Sequence, residues 1–417
     1  MERSKAIEGV KVADFTWSVV GPLTTMVLAQ HGATVIRVET HTRLDFVRVS
    51  GPFKDGIAGI DRSAFYASVN ANKYSMSLDL NKPKGLEVVK RLVKWADMVA
   101  DSMTPGKMKK WGLDYEGVRK IKPDIIYFST TLHGQHGPYA GQPGYGPQAT
   151  ASAGLYEVTG WPDGPPNFIY CAYTDSISPY YLVTAIVAAL ARRRKTGKGI
   201  YIDHSQVEAG VIHLGPAVLD YTVNERIASR IGNRDRYAAP HGCYPCLGDD
   251  RYCVIAVRND AEWEAFCKVI GKPEWVKDPK FATQMARKEN EDELDSLIQE
   301  WTKDHSPEEV MIAMQAAGVP AGVVQNPKDL LEDPQLKHRG HFQWLEHPVI
   351  GLMPYHGQAF RLSKTRVKWS SLPPAWGKTM SISIRKSWVT RTMRSRICWP
   401  RGLSRSKPAS QWRAPSR

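Results

Sequence analysis

Apolar residues over the first 130 positions recur in two alternating patterns. Residues 10–15 form a short apolar run. Gly21-Pro22 then opens a stretch whose apolar face continues over 23–31, Gly32 supplies a stop, and 34–38 is a second run. Short runs bounded by turn residues predict strands, and the 3.6-residue recurrence between them predicts a helix. The alternation continues: 83–96 carries Leu86, Val88, Val89, Leu92 and Val93 and leads to a run at 98–100, and 115–121 leads to 124–129. Such alternation predicts an α/β fold, with a mostly parallel sheet and helices on its faces.

The pattern breaks at 133–167, which is rich in Gly, Pro and Tyr and has neither period. A stretch that long inside a compact domain is usually functional. A helix is predicted over 180–194, stopped by Thr196-Gly197-Lys198-Gly199; a strand follows over 200–203 and a helix over 205–228, ending in the polar run 229–236. From Tyr237 the character changes to a strand at 251–257 and helices at 261–270 and 292–303. Ser306-Pro307-Glu308-Glu309 then forms a capping box with Pro at the first helical position, opening a helix that ends at Gly318. These shifts divide the chain into a large domain over 1–204, a linker helix over 205–236 and a smaller α+β domain over 237–325. A return segment follows over 326–377, and a tail over 378–417.

Composition narrows the class. With 42% hydrophobic and 24% charged residues over 417 positions, the chain is globular in type, which excludes a disordered or collagenous protein. The net charge of +14 points at first to nucleic acid or an anionic membrane. Eleven Lys/Arg and no acid lie in 378–417, which leaves only +3 for the remainder, so the charge belongs to one segment and neither partner is expected. No apolar run approaches the roughly 20 residues that cross a bilayer, and the first residues lack the apolar core of a signal peptide. Six cysteines, at 171, 243, 246, 253, 267 and 398, form no disulfide framework and fit a reducing cytoplasm. Cys243-Tyr-Pro-Cys246 has no second pair, so it is read as two half-buried thiols and no metal site is expected. The run Arg192-Arg193-Arg194-Lys195 is read as the charged C-terminal end of a helix.

The order of local motifs carries more than any one of them. Gly9-Val10-Lys11-Val12 leads to Gly21-Pro22, and Gly32-Ala33-Thr34-Val35-Ile36-Arg37-Val38-Glu39 follows. Next come Asn70-Ala71-Asn72-Lys73 with Leu78-Asp79-Leu80, Pro105-Gly106 with Trp111-Gly112-Leu113, and Thr159-Gly160 with Gly164-Pro165-Pro166. Asp175, Ala188-Ala189-Leu190 and Pro240-His241-Gly242-Cys243-Tyr244 complete the series. Over about 9–377 this order resembles the class III CoA-transferases, the family of formyl-CoA transferase and carnitine CoA-transferase, which shares its fold with α-methylacyl-CoA racemase. The resemblance implies a doubly wound, Rossmann-like large domain that binds CoA, a smaller α+β domain, and two chains interlocked as a dimer. It also implies transfer of CoA from an acyl-CoA to a free carboxylic acid, with acyl-CoA as substrate and no permanently bound cofactor.

In that setting Asp175 is the expected nucleophile. At an ordinary carboxylate pKa it is ionised at neutral pH and needs no general base. It precedes the helix predicted from Tyr180, whose N-terminal partial charge favours an anion. Asn72, Lys73 and Tyr74 fall in the implied nucleotide-binding turn. Ser102 and Met103 stand before Pro105-Gly106, Lys110 stands where relatives carry Arg, and Tyr145 lies in the Gly-rich segment. Departures from the family pattern include Gln30-His31, Thr40 in place of a phosphate-binding Arg, and Gly146 in place of an acid near the nucleophile. No Gly-rich lid is evident at 237–247, which disfavours oxalate and formate, and Trp17, Tyr145, Tyr156 and Trp161 are either core or lining for a bulky acyl group.

Two other functions compete: an acyl-CoA racemase, and a non-catalytic CoA-binding subunit of a heteromer with a paralogous chain. Racemases place a His where this chain has Tyr145, and His133 and His136 lie nine or more residues earlier. For the tail, triplets read one base out of step from Gly377 onward permit the acidic ending of the family. The stretch 378–417 is therefore read as a frameshift product.

Overall fold

The computed structural model describes residues 5–365 and Val367. The tail at 378–417 and the last part of the return segment lie outside the described residues. Two compact units emerge. The first comprises the described residues up to 153, 170–215 and those from 339 onward; the second comprises 154–169 and 216–338. Residues 154–169, drawn within the large domain on sequence grounds, thus group with the second unit.

The first unit begins with β1 (Lys11–Phe15), α1 (Val20–Gln30) and β2 (Thr34–Glu39). Gly32 closes this βαβ turn at φ +110°, a backbone conformation that strains any L side chain. Next come α2 (Ala64–Asn70), β3 (Tyr74–Ser77), α3 (Pro83–Trp95), β4 (Met98–Asp101), α4 (Lys107–Lys110), α5 (Tyr115–Ile121) and β5 (Ile126–Thr131). The Gly-rich segment contains α6 (Gly146–Ser152). After it come α7 (Tyr173–Thr196), β6 (Ile200–Ser205) and α8 (Gln206–Val211); α9 (Gly215–Asn224) follows in the chain and, beyond Gly215, belongs to the second unit.

All six strands pair in parallel in the order β3-β2-β1-β4-β5-β6. Adjacent residues of β1 serve opposite faces: Val12 packs with Leu28, Val35, Phe128 and Leu182, whereas Ala13 packs with Ile36, Val89 and Leu92. A sheet buried on both faces explains why these strands read as continuous apolar runs. The chain leaves β1 towards β2 and β3, then crosses back to β4. The loops after β1 and β4 therefore diverge at the carboxyl edge, and that is where ligands enter doubly wound sheets.

Two helices differ from the sequence expectation. The helix expected from 180 begins at Tyr173, seven residues earlier, and the one expected over 205–228 breaks into α8 and α9 around a 3₁₀ turn at Ile212–Leu214. Pro179 and the polar run Thr174-Asp175-Ser176 hide the start of α7 from a periodicity reading. Proline is tolerated in the first turns of a helix, but here it brings no N–H to the Asp175 carbonyl one turn back.

The second unit holds an antiparallel sheet of β7 (His241–Pro245), β8 (Tyr252–Ala256) and β9 (Ala321–Val323). With it are α10 (Asp260–Val269), α11 (Gln284–Glu289), α12 (Glu291–Thr302) and α13 (Pro307–Ala316). Its core is built on Trp263, Phe266, Trp275 and Phe281. The expected capping box forms: Ser306 N–H donates to Glu309 at 2.8 Å, and Glu309 N–H donates to Ser306 Oγ at 3.3 Å. Cys243 and Cys246 are free thiols whose pKa burial pushes up, which keeps them protonated and inert. In the first unit, β10 (Phe342–His347) and β11 (Gly351–His356) form a hairpin, and Ile350 and Tyr355 pack on Met26, Ala67 and Ala71.

Candidate active site

At the carboxyl edge, the strand order brings Trp17, just past β1, to Ser102, just past β4. Ser102 Oγ accepts from the Trp17 N–H at 2.7 Å and donates to the Trp17 carbonyl at 3.2 Å. Met103 is fixed by its N–H donating to the Asp101 carboxylate at 2.6 Å and by the Gln135 amide donating to its carbonyl at 3.4 Å. Arg43 covers the Trp17 ring at 5.3 Å. Ser102 and Met103 thus sit at the divergence of the two loops. Lys110 ends the short α4 and is exposed.

The turn at 72–74 differs from expectation. Lys73 is 1% exposed. Its ammonium donates to Asp14 at 3.3 Å, the Pro22 carbonyl at 2.7 Å and Asn70 Oδ1 at 3.0 Å. An ammonium has three donors, and all three are used inside the fold. Lys73 is therefore corrected from a nucleotide contact to a buried tie between α1, α2 and β1. Burial also pulls its pKa down to about 7, against the pull of Asp14. Asn72 is buried and adopts φ +61°, so it shapes the turn into β3 through its backbone. Tyr74 is exposed on edge strand β3.

Asp175 lies inside the first turn of α7, not ahead of the helix, and is half-buried. Its N–H donates to the Ala172 carbonyl at 2.8 Å. The start of α6 is tied to α7 by Thr174, whose buried hydroxyl donates to the Gly146 carbonyl at 3.1 Å and whose N–H donates to Thr150 Oγ1 at 3.4 Å. Thr150 also donates to that carbonyl from within α6, at 2.8 Å. The bare Cα of Gly146 faces the Asp175 carboxyl; a Cβ built there would lie 2.6 Å from Asp175 Cγ. Tyr145, next in the chain, is 58% exposed and meets the Phe46 ring edge-on at 5.2 Å.

Burial pushes the Asp175 carboxyl up to about 7. The expectation of a fully ionised aspartate is corrected accordingly: desolvation outweighs the favourable helix end, and the group titrates near neutrality. A carboxylate raised by desolvation is a better nucleophile once ionised, and perturbed groups of this kind mark functional sites.

Two features escaped the sequence reading. Asp101 is buried and pushed up to about 6, despite hydrogen bonds from Met103 N–H, Ser129 and Tyr127. A buried ion network joins Arg37 and Arg48 to Glu39, Asp45 and Asp61. The signal for the second was charge inside the apolar run of β2, at Arg37 and Glu39. Of the four aromatics, Tyr156 is buried, Trp17 is half-buried, and Tyr145 and Trp161 are exposed. His136 is exposed, and His133 packs on Tyr139 at 5.8 Å.

Comparison with known proteins adds the chemistry. The profile of CoA-transferase family III matches residues 7–379. The succinyl-CoA:glutarate CoA-transferase of Homo sapiens is 33% identical over 378 residues, covering 91% of this chain and 85% of that protein. The acetyl-CoA:oxalate CoA-transferase of Acetobacter aceti is 32% identical over 333 residues, covering 80% and 84%. A crystal structure of a CAIB/BAIF family protein from Brucella suis superposes with a TM-score of 0.82 at 31% identity, covering 92% of this chain and 99% of that one.

Proposed function

This chain belongs to CoA-transferase family III and is an enzyme of that class acting on CoA thioesters and acids, and from that premise we propose that Asp175 is its covalent nucleophile. The observation that carries the reading is the Asp175 carboxyl itself: half-buried, on a fixed helix turn, and titrating at about 7.

An ionised Asp175 oxygen attacks the thioester carbonyl of the donor. The C–S bond breaks, giving an aspartyl–acyl anhydride and CoA thiolate. The thiolate then attacks the Asp175 carbonyl, breaking the anhydride C–O bond, releasing the first acid and leaving an aspartyl-CoA thioester. The incoming carboxylate repeats both steps in reverse, so the thioester passes on with no net proton or electron change. Above about pH 7 the nucleophile is already deprotonated and needs no separate base. Ser102 and Met103 at the loop divergence, Lys110 exposed at the end of α4, and Tyr74 and Tyr145 as exposed rings are the contacts assigned to CoA. The Asn72 turn supports that surface through its backbone, and Lys73 does not take part.

Relatives of similar identity are named for different acids, glutarate and oxalate. We place the chain in the cytoplasm, in keeping with its free thiols, and in the first unit no described helix is long and apolar enough to cross a membrane. We also read it as a homodimer. α9 buries none of its ten residues and exposes Val218, Leu219, Tyr221 and Val223, an apolar face that a second copy would cover.

The test is to mix the protein with hydroxylamine and acetyl-, succinyl- or phenylacetyl-CoA. At least one thioester should yield a hydroxamate at Asp175 by peptide mass spectrometry, and Asp175→Asn should abolish it. Absence of the adduct with all three, or solvent deuterium entering the α-carbon of the acyl group instead, overturns the assignment.

A further inference from the structure

Building on Asp175 as the nucleophile, we propose that Gly146 is its positioning residue: the missing side chain at the start of α6 is the seat in which the Asp175 carboxyl lies. A Cβ on Gly146 would stand 2.6 Å from Asp175 Cγ, 2.7 Å from its Oδ1 and 2.3 Å from the Ala172 Cβ, all inside the 3.0 Å that real Cβ atoms respect. Backbone conformation does not demand glycine here, since Gly146 is absent from the residues with positive φ. The requirement is one of space.

Neither helix is free to retreat. Thr174 of α7 bonds α6 twice, its hydroxyl donating to the Gly146 carbonyl at 3.1 Å and its N–H to Thr150 Oγ1 at 3.4 Å, while Thr150 holds the same carbonyl from within α6 at 2.8 Å. Both threonines are fully buried. A side chain at 146 must therefore swing the carboxyl out of its seat. The Ala172 methyl shares this space with the carboxyl, and burial is the cause that raises the Asp175 proton affinity. Displacing the carboxyl into water removes that cause and lowers the affinity.

One consequence runs against intuition. Placing an acid at this position would put a second carboxylate into space the first already fills, so Gly146→Asp should depress activity, not raise it.

The experiment follows hydroxamate formation between pH 5 and 9 with the three thioesters above, for wild type, Gly146→Ala, Gly146→Asp and Gly144→Ala. The variant-to-wild-type ratio cancels the ionisation of hydroxylamine. Gly144 is the control, because its added Cβ would meet the Leu132 side chain at 2.7 Å and not Asp175. Gly146→Ala is expected to lose about a hundredfold at pH 8, as misplaced reacting groups do. Its ratio to wild type should climb as pH falls towards 5, while Gly144→Ala gives a flat ratio. Should Gly146→Ala not fold, Ala172→Gly/Gly146→Ala removes the methyl–methyl contact at a helix N-cap that tolerates glycine, leaving only the carboxyl contact. A wild-type rate and profile in Gly146→Ala or in Ala172→Gly/Gly146→Ala, a gain in Gly146→Asp, or an equal tilt in Gly144→Ala overturns the proposal. Lack of any wild-type hydroxamate instead refutes the assignment of Asp175.

Discussion

Replacing Asp175 by Asn should make the protein more stable in alkaline solution while destroying its activity. The folded carboxyl titrates at about 7, against an ordinary value of 3.8. Below pH 3.8 both folded and unfolded chains hold the proton, and the group contributes nothing to pH dependence. Between 3.8 and 7 the unfolded chain releases it and the folded chain keeps it, so stability falls as pH rises. Above 7 the folded chain carries a desolvated anion. Three pKa units correspond to about 4 kcal/mol at most. Residual water at this half-buried side chain screens that to about 2 kcal/mol. Asn is isosteric and never ionises, so it escapes the penalty. Urea unfolding of wild type and variant at pH 5 and 8.5, at one protein concentration, measures the effect. The variant's advantage should grow by about 1–2 kcal/mol between the two pH values, other titrations cancelling in the difference. An advantage that does not change with pH, or a wild type that is the more stable at pH 8.5, would show that Asp175 is ionised without cost in the folded chain.

Other expectations follow from single contacts. Lys73→Ala removes the counter-ion from buried Asp14 and should cost about 3–5 kcal/mol by thermal or chemical unfolding. CoA affinity of the folded fraction, measured by calorimetry, should remain unchanged, and a selective loss of affinity would return Lys73 to the nucleotide site. Light scattering should give twice the 46.7 kDa chain mass for the wild type, and Leu219→Asp/Val223→Asp should shift it towards the monomer. Equal masses for both would remove α9 from the interface. Resequencing the gene should restore an acidic ending in place of the acid-free stretch 378–417, where the family match has already stopped at 379. An unbroken frame encoding the same residues would refute the frameshift.

Local patterns in the chain determined a good deal. Apolar runs separated by helical periods specified the strands around β1, β2, β4 and β5, because a sheet buried on both faces requires uninterrupted apolar residues. Gly32 and the Ser306–Glu309 box marked helix ends, since positive φ and unpaired N–H groups have few chemical solutions. Motif order pointed to a CoA-transferase and to Asp175. Tertiary structure decided the rest. Lys73 looks like a surface charge in Asn72-Lys73-Tyr74 until the sheet brings Asp14, Asn70 and Pro22 around it. Asp175 looks like an ordinary acid until packing strips its water and moves its proton affinity to neutrality. Gly146 looks like a lost carboxylate until α6 and α7, 29 residues apart at these positions, are clamped together and the space proves to be occupied. Periodicity and caps act between neighbours along the chain and are written there. Desolvation and steric exclusion depend on which distant groups share a volume, and only the folded chain sets that.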